Sequence, residues 1–153
     1  MPLEALTKEP QSDSFGQADY NQPSMSQREK TLIMLVSGNE DYGKRATLAF
    51  SAACTALAME QQVTIFLVGD GSFWAGEKSS FGIEIPGFPP LNDLFETFGE
   101  LGGRVALCST CAKTICGIDE QKNMIPSQRR SCIEIQGFAS VLSEAQHSTT
   151  LTF

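Results

Sequence analysis

Two unbroken apolar hexapeptides restrict this chain more than anything else in it. Thr31 to Val36 reads Thr-Leu-Ile-Met-Leu-Val, and Val63 to Val68 reads Val-Thr-Ile-Phe-Leu-Val. Each has the length of a strand and neither alternates, which is the pattern of a strand covered on both faces. Between them a helix is predicted from about Lys44 to Glu60, because Ala46, Ala49, Phe50, Ala53 and Leu57 form an apolar stripe at helical spacing. Strand, helix and second covered strand imply a βαβ crossover, hence a mainly parallel sheet with helices on both faces.

The rest of the chain extends that pattern. Leu91, Leu94, Phe95, Phe98 and Leu101 mark an amphipathic helix stopped by Gly102-Gly103. Val105 to Leu107 reads as a short buried strand running straight into a helix, with Ser109 or Thr110 as N-cap and Gly117 at its end. Asp119 to Arg130 reads as a polar loop and Cys132 to Ile135 as a short strand. Phe138, Val141, Leu142 and Ala145 space out a last helix, and Thr149 to Phe153 alternates as a final strand. Met1 to about Arg28 is polar and without apolar periodicity, so residues 1–28 are expected to be a disordered tail and residues 29–153 a single domain.

The net charge of −7 argues against nucleic acid as a partner, since nothing in the chain neutralises a run of phosphates. The apolar runs are far too short to span a bilayer, and no signal peptide is visible at the N-terminus. Five cysteines, an odd number at uneven spacing, fit a reducing compartment better than a disulfide framework, so a cytoplasmic protein is expected. The long segment from Ser72 to Pro90 carries Phe73, Trp74, Phe81 and Phe88. Leaving four such side chains wet would forgo roughly 1.5–3 kcal/mol each, so the segment is read as a subunit contact of a homo-oligomer, or else a lid.

Chemistry concentrates at Leu107-Cys108-Ser109-Thr110-Cys111. A strand–helix junction places Cys108 at a strand's carboxyl end and Cys111 in the first helical turn, where unpaired N–H groups and the helix dipole favour a thiolate, the nucleophilic form. The competing reading, a pair of small buried hydrophobes, is the ordinary fate of free cysteine. It is preferred for Cys54, which lies on the stripe of the first helix, and for Cys116 and Cys132. Gly38-Asn39-Glu40-Asp41-Tyr42-Gly43-Lys44-Arg45 imitates a phosphate-binding loop, but Arg45 stands where a magnesium-ligating hydroxyl belongs and two carboxylates lie where phosphate would sit. It is read as a tight turn before a helix. A structural zinc site wants four ligands, whereas Cys108, Cys111 and Cys116 form no separated pairs and His147 is the only histidine.

The Leu107-to-Cys111 segment with Gly117-Ile118 downstream resembles the strand–Cys-x-x-Cys–helix–Gly-Ile segment of the DsrE-like sulfur-relay family, particularly its small YchN-type members. Gly38 with Tyr42-Gly43, Gly69-Asp70-Gly71 and the ending Leu151-Thr152-Phe153 agree in order, so the resemblance covers about Thr31 to Phe153. Cys116 occupies a place often taken by Arg. The resemblance implies a three-layer α/β/α domain with a mainly parallel five-stranded sheet, assembled as a trimer or hexamer. It also implies a persulfide-carrying Cys108, Cys111 as a second thiol, sulfur donor and acceptor proteins as partners, and no metal or organic cofactor. Two other classes remain open from the residues themselves: a Cys-x-x-Cys thiol–disulfide oxidoreductase, and a non-catalytic oligomeric binding module whose thiols are incidental.

Overall fold

The apolar hexapeptides form the middle strand of the sheet and one of the two strands beside it. In the computed structural model, which describes residues 28–114 and 132–153, β1 is Lys30–Leu35 and β2 is Gln62–Leu67, paired in parallel from Lys30 against Gln62 to Leu35 against Leu67. The described residues add α1 (Lys44–Ala58), α2 (Leu91–Glu100), β3 (Arg104–Cys108), α3 (Ser109–Thr114), β4 (Glu134–Gln136), α4 (Phe138–Glu144) and β5 (Ser148–Thr152). The five strands lie in the order β4-β3-β2-β1-β5 and every ladder is parallel. The expected disordered tail, the Gly117 terminus, the packing of Cys116 and the polar loop 119–130 lie outside the described residues.

Strand order decides which helix covers which face. From β1 through β3 the chain steps one way across the sheet, and α1 and α2 pack together on one side. The last crossover returns from β4 to β5 in the opposite direction, so a right-handed connection puts α4 on the other side. The result is a three-layer α/β/α domain. On the α1/α2 face Ile33, Leu35, Ile65, Leu67, Val105 and Leu107 meet Phe50, Phe95, Phe98 and Trp74. Phe50 stacks on Phe95 at 3.9 Å between ring centroids and takes Phe98 edge-on at 5.7 Å. On the α4 face Leu32, Phe66, Val68, Ala106 and Cys108 meet Val141. Because β1 and β2 contribute to both clusters, neither could alternate in sequence.

The segment after β2 differs from its expectation. Gly69–Ala75 is a 3-10 helix rather than irregular chain, and Trp74 is fully buried within the subunit, its Nε1–H donating to the Ser37 carbonyl at 2.8 Å. Trp74 therefore needs no partner to cover it. A bulky ring finds this place because the 3-10 turn folds back over the end of β1. Gly71 permits that approach, since a Cβ there would collide with the Leu35 carbonyl oxygen. Phe73, Phe81 and Phe88 do stay at the surface, 39% to 59% exposed. A second correction concerns Cys132, expected in a core strand: β4 begins only at Glu134, and Cys132 lies in an exposed turn before it. Cys54 does pack against the α1/α2 core, with its S–H on the Leu94 carbonyl at 3.6 Å, and burial pushes its thiol up from the ordinary value.

Candidate functional site

In open parallel sheets the carboxyl ends of the strands are where ligands and chemistry collect. Here β3 passes into α3 without an intervening residue, so Ser109 and Thr110 are inside the first helical turn rather than ahead of it as N-caps. Cys108 ends the strand and Cys111 follows three residues later, and the two face different surroundings. Cys108 is 1% exposed and packs among Leu32, Phe66, Val68, Ala106 and Val141. Cys111 is half-buried at the margin of the same cluster, and its Sγ accepts a hydrogen bond from the backbone N–H of Gly69 at 3.2 Å.

That donor comes from the neighbouring strand's exit loop. Gly69 follows β2 with φ of 59°, a left-handed conformation that glycine adopts without a Cβ penalty. The turn it opens is tied to the end of β1 by the Gly71 N–H on the Val36 carbonyl at 3.1 Å and by the Trp74 indole on Ser37. A backbone N–H aimed at sulfur stabilises negative charge on that atom.

β4 supplies a polar side chain beside Cys108. Gln136 pairs with Cys108 in register, so both side chains leave the same face of the sheet. Its Nε2 donates to Glu134 Oε2 at 3.1 Å, and the same carboxylate oxygen accepts from Arg104 at 2.8 Å, while a second Arg104 nitrogen reaches Glu144 at 2.9 Å. Hydrogen bonding to Arg104, followed by its charge, holds the Glu134 carboxyl below the ordinary value, and Glu134 in turn raises Arg104. Gln136 Oε1 is buried and has no donor among the described residues.

The loop after β1 is a capped turn. The Asp41 carboxylate accepts from the N–H of Gly43 at 3.1 Å and of Arg45 at 3.0 Å, the amides a phosphate would need at the start of α1. Arg45 also donates to Ser37 Oγ at 3.2 Å. Among the described residues no three of His, Cys, Asp and Glu are grouped to hold a metal ion, and no helix is long and apolar enough to cross a membrane.

Sequence reading placed Cys108 at a strand's carboxyl end and Cys111 in the first helical turn, but missed the contact that joins Cys111 to Gly69. It also missed Gln136, because a single polar residue ending a short strand carries no signal until the register is known.

Known proteins carry the same framework. The structure is similar to the crystal structure of the YchN protein of E. coli, with a TM-score of 0.59 and 18% identity over 82% of this chain and 99% of that one. It is also similar to a conserved protein of unknown function from Bacteroides thetaiotaomicron, with a TM-score of 0.53 and 12% identity over 80% of this chain and 94% of that one. In sequence, an uncharacterized protein of Methanopyrus kandleri is 36% identical over 83 residues, which are 54% of this chain and 65% of that protein's length. A sequence profile of the DsrE/DsrF-like family matches residues 30–150, four-fifths of the chain, from the start of β1 into β5, and by that match the protein belongs to the DsrE/DsrF-like family.

Proposed function

We propose that the protein relays sulfur between protein partners through the Cys108–Cys111 pair, with Cys111 as the loaded residue. The observation that carries this reading is the unequal setting of the two thiols. Cys111 is reachable and has a backbone donor on its sulfur, while Cys108, the carrier implied by resemblance, is closed off among apolar side chains. The Cys111 thiolate attacks the terminal sulfur of a donor persulfide. A new S–S bond forms, the donor's S–S bond breaks, and the donor's inner sulfur departs as a thiolate with the electron pair. An acceptor thiolate then takes the outer sulfur of Cys111–S–SH in the same way and regenerates the Cys111 thiolate. Nothing is oxidised or reduced overall, and no metal or organic cofactor takes part. Cys108 is the second thiol: attack of its sulfur on the inner sulfur of Cys111–S–SH would form a Cys108–Cys111 disulfide and expel hydrogen sulfide.

The reading places the protein in the cytoplasm, where its thiols stay reduced. It also makes the exposed Phe73, Phe81 and Phe88 the contact surface of a trimer or hexamer. Sedimentation at micromolar concentration tests the assembly, and a monomer there removes that part of the proposal.

Incubation with glutathione persulfide followed by intact and peptide mass spectrometry tests the chemistry. The expected result is a gain of one sulfur on Cys111 that disappears in Cys111→Ser. Loss of two hydrogens instead would assign the pair to dithiol–disulfide exchange, and no change would leave a binding module.

A further inference from the structure

Trp74 has a second consequence besides filling the core. The 3-10 turn that it anchors begins at Gly69, whose N–H is bonded to Cys111 Sγ. Three contacts hold this turn against the end of β1: the indole N–H on the Ser37 carbonyl at 2.8 Å, the Gly71 N–H on the Val36 carbonyl at 3.1 Å, and the bare Cα of Gly71 against the Leu35 carbonyl. The donor therefore sits on backbone fixed before any sulfur arrives. Such preorganisation makes a dipole effective toward a charge that comes and goes, because little reorganisation accompanies the change.

We propose that the Gly69 amide is the built-in holder of negative charge on the Cys111 sulfur during transfer, and that Trp74 is a positioning residue that keeps this amide aimed. The proposal rests on the sulfur-relay reading and deepens it by naming what steadies the sulfur. In each transfer Cys111 sulfur attacks as an anion and, when the outer sulfur is handed on, departs as an anion. A fixed N–H at that atom assists both events without moving a proton of its own. Cys108, three residues away and packed among apolar groups, has no backbone donor on its sulfur among the described residues. The same contact thus also selects between the two thiols.

The experiment follows the Gly69 amide by two-dimensional 1H–15N NMR on the full-length protein. In the unloaded protein Cys111→Ala should move the Gly69 proton resonance upfield, as expected when a hydrogen-bond acceptor is removed. An unmoved resonance overturns the proposal whether or not the protein relays sulfur. Loading Cys111 with glutathione persulfide should move the same resonance again. Loading proven by mass with no such movement also overturns it, whereas failure of any cysteine to load overturns the relay reading and leaves the first comparison to decide the contact. Trp74→Phe keeps a ring in the core but removes the N–H donor to Ser37. It should slow loading of Cys111 by roughly two- to tenfold, the worth of one hydrogen bond, and shift the Gly69 resonance. Parent-like loading with an unshifted Gly69 resonance would leave Trp74 as core packing alone and overturn its positioning role. Should Trp74→Phe fold poorly, Ser37→Pro is not a substitute; Gly69→Asn, which tolerates the left-handed backbone and keeps the N–H, should load like the parent, while Gly69→Val should load several-fold more slowly. Equal rates in those two variants overturn the proposal.

Discussion

The two faces of the sheet are covered by unlike means. On one, α1 and α2 lay Phe50, Phe95, Phe98 and Trp74 over the strands, and these large rings leave the face closed to solvent. On the other, among the described residues, the seven residues of α4 supply one buried side chain, Val141, while Phe138 reaches Phe66 edge-on at 5.3 Å but stays partly exposed and Leu142 faces outward. Both cysteines of the candidate site belong to this thinner side. The difference teaches that, among the described residues, the large rings that fill the core lie on the face opposite the two candidate cysteines. On the α4 face the smaller side chains still close over Cys108, and only Cys111, at the margin of the cluster, is half-buried.

Matched truncations would break that comparison or sharpen it. Phe50→Ala should destabilise by about 3–5 kcal/mol, the cost of a large buried cavity, and Phe138→Ala by about 1 kcal/mol, since part of that ring is already wet. Equal losses in urea unfolding would show that the α4 face carries as much of the stability as the other. Next in size is Cys108→Ser, which should cost roughly 1–3 kcal/mol because a hydroxyl would be buried in an apolar cluster. A strand-end location suggests a harmless change, but the burial of Cys108 argues otherwise, and thermal melting of the variant decides. Cys54→Ser on the opposite face should cost only about 1 kcal/mol, because that side chain is half-exposed.

The smallest effect tests electrostatics on the thin side. Glu134 is held below its ordinary value by Arg104, so its contribution is present above the unfolded carboxylate value of about 4.3. It is lost as pH falls through the lower folded value. Both partners are largely exposed, which limits the pair to at most about 0.5–1 kcal/mol and makes it sensitive to salt. Stability of Glu134→Gln should therefore fall less steeply than that of the parent below pH about 4.3 at low ionic strength. Parallel curves would show that the ion pair contributes nothing. Tryptophan emission adds a qualitative check on the other side: because Trp74 is buried in its own subunit, its emission should be blue-shifted and indifferent to dilution.

Much of this molecule is written along the chain itself. The covered strands β1 and β2, the amphipathic α1 and α2, and the placing of Cys108 and Cys111 at a strand–helix junction follow from periodicity and local propensity, which depend on residues a few positions apart. Parallel crossovers then follow from strands alternating with helices. Other features depend on which distant segments meet. The order β4-β3-β2-β1-β5 set Gln136 beside Cys108, and the fold of the 69–75 turn over β1 buried Trp74 and aimed the Gly69 amide at Cys111. Hydropathy marks a tryptophan as something to bury but not where, and a backbone N–H carries no signature of residue type at all. Only packing across the carboxyl edge of the sheet could choose its acceptor, because that choice is made by strand register and close backbone approach rather than by the side chains that the sequence spells out.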